Sequence, residues 1–335
     1  MHLRPSRWLR LCAGIAAGFL LAEATVRLAY FGTPSLLQPW RYTPGGGADE
    51  LFDRVDDPRI RYKLKPSLRT LVKGKPFTTN SAGFRSPEID HDKPPDVFRI
   101  AVLGASSSMG SGVSDDEVYS ARLQQRFEDG AHGRVEVMNL AVSGYGLAQM
   151  LAAYEAFAAP YRPNAVLVPF YQLSGLLRIG QQREEKETVE IVDFGRQLDP
   201  FFAYHVGRAM LSEWLPSQPR SLQWNEFTAM LRGLDELVEP FTSARREEGM
   251  TVWFLPLRWR TSPRKNLAFR IRLADTFRRR HDNVRVIDLL DSVPPGALDQ
   301  IYYGDAHLGP RAHEAIAGEI FATVAGEVAA ASVAR

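Results

Sequence analysis

Three groups of residues in this chain have the types and spacing needed for acyl chemistry. The first is Ile100-Ala-Val-Leu-Gly-Ala-Ser-Ser-Ser-Met-Gly-Ser-Gly-Val113, an apolar run broken at Gly104 into a serine cluster closed by Gly110 and Gly112. It reads as a buried strand, a tight turn and a helix N-terminus, followed by the polar, helix-like segment Ser114–Glu117. Such a turn lifts a small nucleophile above a sheet edge and aims backbone N–H groups at its neighbour. Ser106 is the candidate nucleophile.

A serine nucleophile needs a base, a group that orients the base, and donors for the developing oxyanion. Asp305-Ala-His307, just ahead of the last helical segment, supplies the base and its orienter. A carboxylate two residues before an imidazole, on extended or turn backbone, can bond one ring nitrogen and leave the other for serine. The oxyanion donors are the Ser106 backbone N–H and Gly144, in Asn139-Leu-Ala-Val-Ser-Gly-Tyr-Gly146, where glycine lets the backbone approach a ligand closely. Each piece alone has a plain structural reading: a glycine after a strand makes a turn, and Asp-x-His before a helix makes a cap. Their joint presence is what points to a site. His313, about a turn into the last helix, reads as structural, with an alternative reading as the base.

These groups need a frame. Apolar, strand-like runs occur at 99–103, 135–140, 165–171, 251–257 and 284–289, with helix-length segments at 117–128, 147–158, 222–248, 266–280 and 310–328. Short apolar strands alternating with helices predict a parallel sheet covered on both faces, an α/β architecture. Residues 98–330 form that domain, with an insertion at about 172–221 that is either a substrate-facing lid or a surface excursion. Residues 32–97, rich in Pro, Gly and charge, read as a tether and an irregular arm.

The N-terminus carries a different signal. Arg4, Arg7 and Arg10 precede a run of 12 apolar or small residues, Leu11–Ala22, and apolar character resumes to Phe31. Residues 11–31 are long enough to cross a membrane, for which about 20 residues suffice, as an uncleaved single-pass anchor. Ala22-Glu-Ala24 also offers a signal-peptide cleavage site, in which case the product is secreted. A buried soluble helix is the third reading. Both leading readings keep the arginines in the cytoplasm and place the body in the periplasm or outside the cell. The net charge of +2 comes from this segment, since the rest carries 37 basic and 38 acidic residues. With no basic run interleaved with aromatics, nucleic acid is excluded as a partner. The single cysteine, Cys12, sits in the apolar run, so the body has neither a disulfide nor a thiol nucleophile.

The ordered set Gly104-Ala-Ser106, Gly144 and Asp305-Ala-His307 resembles the SGNH (GDSL-type) hydrolases. Thr79-Asn-Ser-Ala-Gly-Phe-Arg85, Glu23-x-x-x-Arg27 and His307-Leu-Gly-Pro-Arg-Ala-His313 resemble its membrane-anchored bacterial branch. The resemblance spans roughly residues 75–320 without the insertion. It implies a three-layer α/β/α, flavodoxin-like fold, with Ser106 as nucleophile, His307 as base, Asp305 as orienter, and the Ser106 and Gly144 N–H groups in the oxyanion hole. It implies ester hydrolysis or acyl transfer without a cofactor, on an acyl ester such as an acylated envelope or secreted polysaccharide. The chain also departs from the family. Ala105 replaces the aspartate before the nucleophile, and Ser174-Gly175 stands where Asn-Asp is usual, leaving Gln172 or Ser174 to supply the missing donor. Gly309 and Ala312 replace the usual Asn and Gly. Loss of one oxyanion donor costs on the order of 10²–10³ in rate, so a catalytically silent domain with a carbohydrate-binding or assembly role is the alternative. An α/β-hydrolase elbow is disfavoured because Ser108, not glycine, stands two residues after Ser106. Neither metal-ligand spacing nor a phosphate loop is evident. Oligomeric state is not legible.

Overall fold

The computed structural model describes residues 5–39, 42, 51–130, 134–170, 201–214, 224–256, 278–279, 281–287, 289, 299–301 and 307–333. The centre is a parallel sheet of five strands: β5 (Val97–Val102), β6 (Arg134–Asn139), β7 (Ala165–Phe170), β8 (Thr251–Pro256) and β9 (Val284–Val286). Their spatial order is β6-β5-β7-β8-β9. Counted from the first sheet strand this is 2-1-3-4-5, the flavodoxin-like order, whose topological switch point lies between β5 and β7. Ligands in such sheets bind beyond the carboxyl ends of the strands at that point. The expected three-layer α/β/α architecture is therefore the observed one.

The strands are continuous apolar runs because both faces are covered. Phe98, Ile100, Val102, Val135, Val137, Leu167, Trp253 and Leu255 face helices Tyr119–Asp129 and Pro310–Val333. Ala101, Met138, Val166, Val168, Val252 and Phe254 face helices Leu147–Ala153 and Trp224–Glu247. Beneath the sheet, Arg99 is fully buried, its guanidinium donating to the Glu136 carboxylate at 2.7 Å and to the Tyr161 carbonyl at 2.8 Å.

Two parts differ from expectation in detail. The arm carries two antiparallel hairpins, β1 (Phe52–Arg54) with β2 (Tyr62–Leu64) and β3 (Arg69–Val72) with β4 (Lys75–Thr78). Leu51, Ile60, Leu64, Val72, Phe77 and Phe84 from this region join the core under one sheet face. Strands of three or four residues are too short to show a period against Pro, Gly and charge. In addition, the segment 147–158 is α-helical only to Ala153 and continues as a π-helical turn over Tyr154–Ala158.

The N-terminal helix runs Pro5–Phe31, and its stretch Trp8–Phe31 is long and apolar enough to cross a membrane. Near its end Glu23 and Arg27 are buried as a pair, 2.7 Å apart. Glu23 accepts the Ala203 N–H at the start of helix Phe202–Trp214, and Arg27 donates to the carbonyls of Ser35, Pro39 and Tyr42. The expected helix at 266–280 apart from 278–279, and the insertion apart from 201–214, lie outside the described residues.

Candidate active site

Ser106 stands where the sheet topology places a ligand. β5 ends at Val102, and after Ala105 in extended backbone (φ −103°, ψ −159°) Ser106–Met109 forms one helical turn. The helix thus begins on the serine itself rather than at Ser114. As the first residue of a helical turn, Ser106 has a backbone N–H without an acceptor inside the helix, which suits an oxyanion. Ser106 is half-buried, whereas Ser107, Ser108 and Met109 are buried beneath it.

Two buried side chains brace this turn. Arg85 donates to the carbonyls of Met109 (2.8 Å), Gly110 (2.6 Å) and Val113 (2.8 Å), and to the Asp115 carboxylate through Nε (3.0 Å) and a terminal nitrogen (2.9 Å). Burial pulls the Arg85 guanidinium below its ordinary value, opposed by the charge and hydrogen bonds of Asp115. Asn139 donates to the Ser108 carbonyl and the Ser120 hydroxyl, both at 2.9 Å, while its own oxygen accepts the Ala141 N–H. Neither bracing residue stood out from the sequence by chemistry. Arg85 was visible only as the end of Thr79-Asn-Ser-Ala-Gly-Phe-Arg85.

The loop after β6 joins the serine turn through the Val142 N–H, which donates to the Gly104 carbonyl at 3.0 Å. It carries Gly144 at φ +83°, a conformation that only glycine adopts readily. A Cβ there would stand 2.7 Å from the Tyr62 hydroxyl, which donates to the Ser143 carbonyl at 2.9 Å. Tyr145 in turn donates to the Tyr62 carbonyl, so the arm holds the Gly144 loop in place. Burial pushes the Tyr145 phenol up, and Tyr62 adds to the shift.

His307 is half-buried just before the last helix. Its neighbour Leu308 bridges to Gln300. Asp299 caps the helix that follows, accepting the Ala312 N–H at 2.7 Å and, through its carbonyl, the Gly309 N–H at 2.9 Å. The Nδ1 of His307 lies 2.8 Å from Nζ of Lys73, a buried residue at the tip of the β3–β4 hairpin. Sequence reasoning did not find Lys73, which meets its partner across 234 positions. Asp305, Gln172 and Ser174 lie outside the described residues.

His313 is a structural residue. It is fully buried, its Nδ1 accepts the Tyr119 N–H at 3.1 Å, and its ring stacks on Tyr119 with centroids 5.8 Å apart. Burial, helped by the charges of Arg85, Arg122 and His307, pulls its imidazole down to about 3, so it is neutral. Among the described residues, no group of three or more His, Cys, Asp or Glu is placed to hold a metal ion. A concavity of about 930 Å³ lies beside helix Tyr119–Asp129, lined by Arg85, Asp115, Arg122, Arg126 and Glu314 among others; it includes none of Ser106, Gly144 and His307.

No protein-family model and no curated protein matches the chain. Among solved structures, it is similar to TesA, at 17% identity over 68% of this chain and 97% of that one, with a TM-score of 0.41. It is also similar to a lipase/acylhydrolase from Enterococcus faecalis (14% identity, 69% and 96% covered, TM-score 0.44). A third is Axe2, an acetylxylan esterase from Geobacillus stearothermophilus (10% identity, 68% and 94% covered, TM-score 0.42). These are likenesses only; the fold assignment rests on the sheet order itself.

Proposed function

We propose that this protein is an exported, membrane-tethered serine esterase or O-acyltransferase that acts on acyl esters of an envelope or secreted polysaccharide. The observation that carries the proposal is the seat of Ser106, half-buried on the first residue of a helical turn at the switch point of a 2-1-3-4-5 sheet. The Gly144 loop bonds directly to that turn, and His307 precedes the last helix.

His307 Nε2 takes the proton of Ser106 Oγ as Oγ attacks the ester carbonyl. The Ser106 and Gly144 N–H groups receive the oxyanion, with Gln172 or Ser174 as the third donor. Collapse breaks the bond to the leaving alkoxide, which takes the proton from Nε2, and the acyl group stays on Oγ. Water or a sugar hydroxyl then repeats the sequence, giving hydrolysis or transfer. Asp305 orients the His307 ring and stabilises the imidazolium as it forms.

The apolar helix behind three arginines supports export. Retention of that helix is supported by Glu23 and Arg27, which are tied into the fold on both sides of Ala24. The alternative, a catalytically silent carbohydrate-binding or assembly component, is favoured by Ala105 and Ser174 standing where Asp and Asn are usual. Hydrolysis of p-nitrophenyl acetate by the full chain in detergent separates the two. The proposal expects turnover that falls at least 100-fold in Ser106→Ala, and equal rates in both proteins refute it. An acetylated glycan with an acceptor sugar then distinguishes transfer from hydrolysis.

A further inference from the structure

We infer that helix Phe202–Trp214 is a second membrane element: it lies in the leaflet nearest the body, packed against the N-terminal anchor, with Met210 and Leu211 on lipid acyl chains. This rests on the reading of Pro5–Phe31 as a retained anchor and goes beyond it, since it turns part of the insertion into a bilayer-binding surface.

The anchor gives one face to this helix. Residues 19, 23, 27 and 31 recur every four positions and so form a single stripe along it. Phe19 meets Phe201 edge-on, with ring centroids 5.2 Å apart. Glu23 accepts the Ala203 N–H at 2.7 Å, and the Arg27 guanidinium carbon lies 5.2 Å from the centre of the Phe202 ring. Phe31 closes the stripe, its ring 4.7 Å from that of Phe202.

The height of that stripe places the helix start inside the membrane. A layer of about 30 Å takes about 20 residues at about 1.5 Å each. A span beginning at Pro5, the first residue of the helix, ends near Thr25, and one beginning at Leu11 ends near Phe31. Phe19 then lies about 9–18 Å below the boundary on the side of the body, and tilt of the helix only deepens it. Phe201, against Phe19, is carried below the boundary with it. A helix that starts there must have its free first-turn N–H groups satisfied by protein, because hydrocarbon offers no acceptor. Glu23 serves one of them, and a carboxylate also suits the positive end of a helix dipole.

The remaining surface agrees with this placement. Among the described side chains of helix Phe202–Trp214, the two that are exposed are both apolar: Met210 at 56% and Leu211 at 63%. They continue the exposed apolar surface of the anchor, which includes Leu20, Leu21 and Leu28. Continuity with a membrane-crossing helix identifies the occupant of this face as the lipid that surrounds that helix.

The test is spin labelling of the full chain in phosphatidylcholine vesicles, in a Cys12→Ser background because Cys12 is the only cysteine. Labels are placed at Met210→Cys and Leu211→Cys, at Leu20→Cys on the anchor, and at the exposed position Asp92→Cys as an aqueous reference. Oxygen enters hydrocarbon and a polar nickel chelate is excluded from it, so the ratio of their effects on relaxation reads depth. We expect that ratio at 210 and 211 to exceed the ratio at 92 about tenfold, as at position 20. Hydrocarbon at 20 with water at 210 and 211 overturns the inference and leaves the anchor standing. Hydrocarbon at 210 and 211 with water at 20 upholds the membrane contact of this helix and refutes the span. Water at all three refutes both. Labels at 210 and 211 closed to both reagents, with dipolar broadening between chains, would put a second copy on this face and also overturn the inference.

Discussion

At the scale of residues, the turn that carries Ser106 depends on buried side chains distant in sequence. Arg85 ties together three carbonyls of the Met109–Val113 backbone and the Asp115 carboxylate, a pattern that needs the forked guanidinium. Arg85→Lys should lower stability by about 2–4 kcal/mol in urea unfolding, because buried acceptors lose their donors. It should also slow reaction at Ser106. His313 makes a pH prediction whose sign follows from its depressed imidazole. The unfolded chain takes up a proton near pH 6.5 that the fold refuses down to about 3, so stability is flat above 6.5 and falls as pH drops through that window. Between pH 7 and pH 5 this loss amounts to about 2 kcal/mol, and His313→Gln should remove most of it in paired urea titrations. Ser106, Gly144 and His307 are candidates that type and spacing single out in the sequence. Arg85 and Lys73 are not singled out, because a buried charge is recognised by its partners, and those partners are distant in sequence.

At the scale of elements, the five sheet strands were legible almost to their ends, since strands buried on both faces are unbroken apolar runs. The hairpins of the arm were not, yet they deliver Lys73 to His307 and Tyr62 to the Gly144 loop. The last helix has a similar dependence. Its cap, Asp299, packs so close to Gly309 that a Cβ there would collide with the carboxylate, which accounts for glycine at that position. Asp299→Ala should cost about 1 kcal/mol as a lost N-cap. It should also lower kcat by disturbing the segment that carries His307, measured by thermal unfolding and by ester hydrolysis on the same preparation.

At the scale of the whole molecule, one route of contacts leads from the N-terminal helix to the site. Phe31, its last residue, lies against Tyr42 with ring centroids 5.9 Å apart; the Tyr42 ring packs on Gly74, and Lys73 beside it reaches His307. The helix of 27 residues is about 40 Å long, enough to cross a hydrocarbon layer of about 30 Å with its outer turns left for the protein. Glu23 and Arg27 occupy those outer turns, bonded to helix Phe202–Trp214 and to the chain after Phe31. The expected outcome is a protein that resists carbonate extraction and keeps residues before Thr25; a mature N-terminus at Thr25 would show a cleaved signal instead. The serine itself is tested most directly by intact-mass and peptide analysis of the full chain after reaction with a fluorophosphonate. The account predicts a single adduct on Ser106 in the wild type, none in Ser106→Ala, and at least 100-fold slower labelling in His307→Ala. A folded wild-type protein that takes up no probe, or takes it up equally when Ser106 is alanine, would contradict it.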